Sequence, residues 1–235
     1  MSMPANQANG PQVVILEGSI GAGKSTFLEL LEKHLAVQAV QEPLKQWQDV
    51  GGGNLLDNFY KDPSRWAYTF QSYAFISRIF EQRENLKTCI DKFQILERSV
   101  YSDRYCFAKN CHENGVMSEL EWSLYKDLFA WFVDELTVFP AAFIYLQTSP
   151  EVCYERVSRR SRSEESVVAL EYLKQIHGRH EEWIVNKIGV SEKLAKVPTL
   201  VLNVDKDFES DPVFARELCE KVAKLLRDIG NKNSE

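Results

Sequence analysis

The sequence predicts an α/β fold in which one parallel sheet is covered by helices on both faces. Three observations carry that prediction: five short apolar runs, longer helical patterns between them, and a glycine-rich stretch joining the first run to the first helix. The runs are VVILE (13–17), VQAVQ (37–41), FQILE (93–97), AFIYLQ (142–147) and TLVLNV (199–204). Most are nearly continuous in apolar residues, the pattern of strands buried on both faces.

The helices follow in order. Segment 24–36 begins where the glycine-rich stretch ends, and segments 64–87 and 118–138 are long and rich in aromatic residues. Ser149-Pro150-Glu151 starts another helix, with Ser as the cap and Pro at the first helical position, where a missing N–H costs nothing. Segments 168–187 and 211–229 complete the set. Alternation of this kind implies right-handed crossovers, with ligands outside the carboxyl ends of the strands. No repeat, low-complexity tract or linker divides the chain. It reads as a disordered lead-in (1–12), a single domain (13–229) and a frayed tail (230–235).

Composition narrows the function. Apolar residues make up 44% and charged residues 26%, as in a soluble globular domain. Lys plus Arg is 28 against 34 for Asp plus Glu, a net charge of −6. A negative chain is poorly suited to the phosphate backbone of nucleic acids, so any phosphate chemistry must rest on a local cationic pocket. The five Cys (89, 106, 111, 153, 219) are odd in number and form no C-x-x-C pair, which reads as reduced thiols. Neither a signal peptide nor a presequence is visible in MSMPANQANGPQ, and no apolar run reaches the ~20 residues of a membrane span. A cytoplasmic location is expected, or a mitochondrial one if a targeting segment has been removed.

The strongest motif is Gly18-Ser19-Ile20-Gly21-Ala22-Gly23-Lys24-Ser25, followed by Thr26, which fits the phosphate-binding P-loop G-x-x-x-x-G-K-[ST]. The glycines let backbone N–H groups turn toward phosphates, and the helix starting near Lys24 adds its positive end. Lys24 supplies a mobile cation for the β- and γ-phosphates, and the Ser25 hydroxyl can ligate Mg²⁺. Such a loop specifies a nucleoside triphosphate but not the acceptor.

Glu97-Arg98-Ser99 stands at the carboxyl end of the third strand. Taken alone it is equally compatible with a surface ion pair. Beside a P-loop, Glu97 can accept the proton of an attacking hydroxyl or help hold the Mg²⁺ water shell. Arg156, Arg159 and Arg160, with Arg162 beyond, lie on the helix after the fourth strand. A solvated face is the usual reason for such a run. In an acidic chain, an arginine lid closing over a triphosphate is the sharper reading. His177 and His180 show no third ligand for a zinc site, Cys106 and Cys111 read as packed thiols, and the five Trp, Trp47 excepted, as core or dimer contacts.

These motifs, with EPLKQW (42–47), NLLDNFYKDPSRWAYTFQSY (54–73), ERSVYSDRYCFAKN (97–110), IYLQTSPEVCYERVSRRSRSEE (144–165) and LEYLKQIHGRHEEWI (170–184), resemble the deoxycytidine/deoxyguanosine kinase group of animal deoxyribonucleoside kinases. The resemblance runs from about residue 12 to residue 208. It implies a P-loop kinase with a central five-stranded parallel sheet flanked by helices, a homodimer packed through the two long helices, and Mg²⁺-dependent transfer from ATP or UTP to a deoxynucleoside 5′-hydroxyl. By position it implies that Glu97 is the general base and that Arg98 steadies base and hydroxyl. Tyr60 and Glu165 match the pair holding the sugar 3′-hydroxyl. Glu42, Trp47, Phe70 and Phe107 match the lining of the nucleoside slot, and Gln71 the amide reading the base edge. Arg156, Arg160 and Arg162 match the lid, while the role of Arg159 stays open. Asp207-Phe208 matches the loop at the donor base, although Lys206 departs from the acidic residue expected there. Ala74, Arg78 and Asp103 match the deoxycytidine/purine pattern at the far edge of the base, with thymidine a poor acceptor. A thymidylate-type monophosphate kinase is the nearest rival, and a non-catalytic relative the next.

Overall fold

The computed structural model describes residues 10–160 and 162–232. Its sheet has five parallel strands in the order β2-β3-β1-β4-β5: β1 (Gln12–Gly18), β2 (Gln38–Val40), β3 (Phe93–Glu97), β4 (Ala142–Gln147) and β5 (Thr199–Asn203). The chain runs out from β1 to one side and returns to the other, so β1 lies at the switch between β3 and β4. Leu16 pairs with Glu97 and Glu17 with Tyr145, which brings three strand ends to one point. That is where an open α/β sheet binds ligands.

Successive side chains of β1 enter different cores. Val13 and Ile15 join Phe143 and Tyr145 in one buried cluster, and Val14 and Leu16 join Ile144 and Leu146 in the other. Two-sided burial is why these strands read as continuous apolar runs. One face is covered by α4 (Pro63–Thr88), α7 (Glu119–Leu136) and α9 (Leu170–His180), the other by α1 (Lys24–His34), α8 (Pro150–Arg160) and α11 (Pro212–Lys232).

Several expected boundaries shift. The second strand keeps only 38–40 of 37–41, and the first helix stops at His34. The segment expected as one helix over 168–187 is α9 followed by a π-helical turn, Glu181–Val185. Gln12, assigned to the lead-in, is already in β1 opposite Phe93; residues 1–9 lie outside the described residues. The tail expected to fray from 230 stays helical through Lys232, because Ile229 is buried against the sheet and anchors the last turns; residues 233–235 lie outside the described residues. Four short helices were not foreseen: α2 (Leu44–Gln48), α3 (Leu55–Lys61), the bent run Val100–Glu113, comprising α5 (Val100–Ser102), a π-helical Asp103–Ala108 and α6 (Lys109–Glu113), and α10 (Glu192–Ala195).

Candidate active site

The P-loop connects β1 to α1. Gly21 and Gly23 have φ of 82° and 91°, the left-handed region that other residues adopt at a cost. A Cβ at Gly21 would also fall 2.5 Å from the Cys153 carbonyl oxygen, so the loop closes only with glycine there. Lys24, the first residue of α1, donates to the Ser19 carbonyl at 2.9 Å. Burial, and then the Arg98 guanidinium, pushes its ammonium down to about 8. The Ser25 hydroxyl lies 3.2 and 3.1 Å from the two oxygens of Glu97.

A cleft opens beside the loop. Ile20, Gly21, Lys24, Ser25, Glu97 and Arg98 line one end. Glu42, Trp47, Tyr60, Phe70, Gln71, Ala74, Arg78, Asp103 and Phe107 line the slot, and Arg160, Arg162 and Glu165 the lid side. One cavity thus collects most of the residues singled out in the sequence. Gly18, Ser19, Ala22, Gly23 and Thr26 form the loop and first helical turn behind it.

The slot is organised by charge. Arg78 donates from Nε and Nη2 to the two oxygens of Asp103 at 2.8 and 3.1 Å, from Nη2 to Glu42 at 2.8 Å, and from Nη1 to the Glu97 carbonyl at 3.2 Å. The expected Arg78–Asp103 pair is therefore present, with Glu42 as an unforeseen third member. Burial would raise the Glu42 carboxyl, but Arg98 and Arg78 outweigh it and hold it below its ordinary value. Arg98 adopts φ 62°, a strained backbone for a non-glycine residue. Its Nε lies 3.4 Å from Glu42 and its guanidinium sits 4.6 Å over the Phe107 ring, while Nη1 is buried without a partner. Phe70 stacks on Phe59 at 4.8 Å and meets Trp47 edge-on at 5.5 Å; the Trp47 indole donates to Ser77. Burial, then Glu165, pushes the Tyr60 phenol well above its ordinary value and keeps it a hydrogen-bond donor.

The lid is less uniform than the arginine run suggests. Arg160 grips Glu165 with contacts of 2.6, 2.7 and 3.0 Å, and Arg162 lies 3.5 Å from the same carboxylate. Arg156 instead donates to the carbonyls of Ala22, Val204 and Asp205, fastening α8 to the P-loop and to the loop after β5. Phe208 does not line the cleft. It is buried edge-on against Phe27 at 5.5 Å, and Asp207 caps its own loop through Glu209 N and Ser210.

Leu44, Leu56, Phe59 and Tyr172 also line the cleft and were missed. Leu56, Phe59 and Tyr60 are spaced as one helical face, a signal hidden because α3 spans only seven residues. Cys106 and Cys111 are buried thiols, the latter pushed up to about 12 by burial, and His180 Nδ1 bonds the Ile176 carbonyl.

A P-loop at the switch point of a parallel sheet, facing a deep slot with a carboxylate at the strand end, defines a phosphate-transferring kinase. The deoxynucleoside kinase family model matches residues 14–227. Deoxyguanosine kinase, mitochondrial, of Xenopus laevis is 40% identical over 91% of this chain and 89% of its own length. Deoxycytidine kinase 2 of Gallus gallus is 38% identical over 91% and 89%, and deoxycytidine kinase of Homo sapiens 37% over 92% and 91%. The chain belongs to the deoxynucleoside kinase family.

Proposed function

We propose that this kinase transfers the γ-phosphate of ATP, or of another nucleoside triphosphate such as UTP, to the 5′-hydroxyl of deoxycytidine, deoxyadenosine or deoxyguanosine in nucleotide salvage. The observation that carries the reading is the make-up of one cleft. Phosphate-binding groups stand at its P-loop end, and the slot beyond offers a neutral sugar and a flat base what they need: a phenol donor, an amide, aromatic faces and neutralised charge. An acceptor already bearing a phosphate would need free cations there. Arg78 is instead saturated by Asp103 and Glu42, and Arg98 faces Glu42. That balance disfavours the monophosphate kinase alternative.

In this reading the 5′-oxygen attacks Pγ as the bond from Pγ to the β-phosphate oxygen breaks, and the hydroxyl proton passes to a carboxylate. Glu42 and Glu97 both face the cleft. The Ser25–Glu97 contact places a hydroxyl and a carboxylate together at the P-loop, the few hard oxygen donors Mg²⁺ takes from a protein. These two would hold Mg²⁺, which neutralises charge on the β- and γ-phosphates. With Glu97 engaged by Ser25 and the metal, Glu42 is the cleft carboxylate left to take the hydroxyl proton; Arg78 and Arg98 keep it ionised and so able to accept, and we assign the proton to it. Lys24, the P-loop amides, Arg160 and Arg162 stabilise the transferring phosphate. Arg156 acts by holding α8, and Asp207-Phe208 by supporting the P-loop beside the donor.

Among the described residues no helix is long and apolar enough to cross a membrane. A cytoplasmic homodimer fits, since α4 and α7 expose Phe80, Leu120, Leu124 and Trp131. The reading of 13–229 as one domain is supported by a single sheet and its covering helices between Gln12 and Lys232. The test is ATP consumption with deoxycytidine, deoxyadenosine, deoxyguanosine, thymidine and dTMP in parallel. Turnover on the first three and little on the last two is expected; preference for dTMP would overturn the assignment.

A further inference from the structure

One buried acid lies outside this scheme. Glu17 ends the apolar run of β1, immediately before the P-loop, and is completely buried. A carboxyl group in that position is costly, and an aliphatic residue would continue the strand pattern equally well. The sheet does not need it.

Its contacts lead to the active-site turn. Glu17 Oε1 accepts the Ser99 hydroxyl at 2.5 Å, and the Ser99 oxygen in turn accepts the backbone N–H groups of Tyr101 and Ser102. With its proton committed to Glu17, that oxygen has a fixed orientation. The cap at the start of α5 does not depend on the acid, because Ser99 and Ser102 already bond each other's backbone. Between Glu97 and Ser99 stands Arg98, held at φ 62° with its N–H on the Leu16 carbonyl at 2.9 Å. The residues on either side of the β1–β3 junction thus tie this strained arginine to the end of β1. Two buried polar atoms there lack partners, Glu17 Oε2 and Arg98 Nη1. The carboxyl group also supplies negative charge to the guanidinium, together with Glu42 and Glu97 and against Arg78.

We propose that Glu17 is a positioning residue: through Ser99 and its own charge it holds the Glu97–Ser99 turn so that the Arg98 guanidinium faces the acceptor 5′-oxygen. The strain at Arg98 makes such a support necessary, since a left-handed arginine persists only where its surroundings over-determine it. The inference rests on the kinase reading above and adds a residue to it.

The experiment compares E17Q, S99A and the double variant with the unaltered enzyme, using deoxycytidine and Mg-ATP. E17Q keeps the shape and an acceptor for Ser99 but removes the charge. We expect kcat to fall about 10- to 100-fold, the cost of slight misplacement at a reacting centre. The Kd of deoxycytidine measured without donor should change less than about threefold, and Tm should stay within a few degrees. S99A should lower kcat in the same sense, and the double variant should be much less impaired than the product of the two single effects. If E17Q does not fold, S99A carries the test alone through the same split between kcat and Kd. Near-normal kcat in every folded variant, or a fall in kcat matched by equal loss of deoxycytidine binding, overturns the proposal. Failure of the unaltered enzyme to phosphorylate any deoxynucleoside would instead sink the kinase assignment, before any variant is compared.

Discussion

Glu42 and Glu97 are close enough in kind that only their surroundings separate their roles. Gln at either position keeps size and removes charge. E42Q should lower kcat by ~10²–10⁴-fold, the range of a lost proton acceptor, with the Mg²⁺ dependence unchanged. E97Q should also lower kcat, but with a raised Mg²⁺ requirement; the two Mg²⁺ titrations decide the assignment, and interchange of the outcomes would restore Glu97 as the base. The Arg78 network shapes specificity in the same local way. Asp103 can accept from an exocyclic amine, whereas thymine would set an oxygen against it and crowd the guanidinium with its methyl group. A mismatched buried polar group costs ~1–3 kcal/mol, or tenfold and upward in selectivity. R78M with D103A should raise the thymidine-to-deoxycytidine ratio of kcat/KM; an unchanged ratio would contradict the role. D103A alone is less disruptive than the pair suggests in isolation, because Arg78 keeps Glu42 and the Glu97 carbonyl. Glu17 adds a pH signature. Burial, partly offset by the Ser99 bond and Arg98, raises its carboxyl from 4.5 to about 7. Between those values the folded chain binds a proton that the unfolded chain releases, so stability falls as pH rises through that window, by up to about 3 kcal/mol. Urea unfolding at pH 5 and pH 7.5 should show a smaller fall in E17Q; equal falls would place the titration elsewhere.

At the scale of elements, the lid and the slot share a carboxylate. Arg160, expected to meet the donor, is held by Glu165, expected to meet the acceptor sugar. On that reading the two sides of the cleft would be coupled through one ion pair, so that a change at either side would shift the equilibrium seen by the other. R162A, which leaves the Arg160–Glu165 pair in place, should reduce kcat/KM for ATP while leaving deoxynucleoside affinity nearly intact in calorimetry without donor. Equal losses in the binary complex would count against the lid. The sequence made these elements legible to different degrees. The sheet and long helices were readable because two-sided burial writes itself as apolar runs, and the P-loop because its backbone demands glycine at fixed positions. Lid arginines were readable as a cluster, but their partners were not: Arg156 on backbone carbonyls and Arg160 on Glu165 are tertiary facts. Short α2 and α3 were missed because five and seven residues give too little periodicity to detect, and with them Leu44, Leu56 and Phe59. Glu17 was hidden for the opposite reason, as one polar letter ending an apolar strand.

The whole molecule poses a question that the single chain does not answer by itself: why α4 is apolar on both sides. Phe70, Gln71, Ala74 and Arg78 face inward to the cleft, whereas Phe80 is 58% exposed. On α7, Leu120, Leu124 and Trp131 are 71%, 44% and 62% exposed, and spacings of four and seven residues put them on one stripe. Exposed apolar side chains on two helices that pack together are the kind of surface that a second copy covers in a symmetric dimer. In such a contact each substitution acts twice. A central aromatic anchor is worth about 2 kcal/mol or more, so W131E should cost roughly 4 kcal/mol per dimer, about 10³-fold in the dissociation constant. Analytical ultracentrifugation should find the unaltered protein at twice the 27.1 kDa chain mass and W131E at the single mass. The cleft residues named above build a complete slot within this chain, so the separated W131E chains should still bind deoxycytidine, with any loss confined to turnover as α4 loses its outer support. A single-mass unaltered protein, or a W131E dimer of undiminished strength, would show that this face meets something other than a second copy.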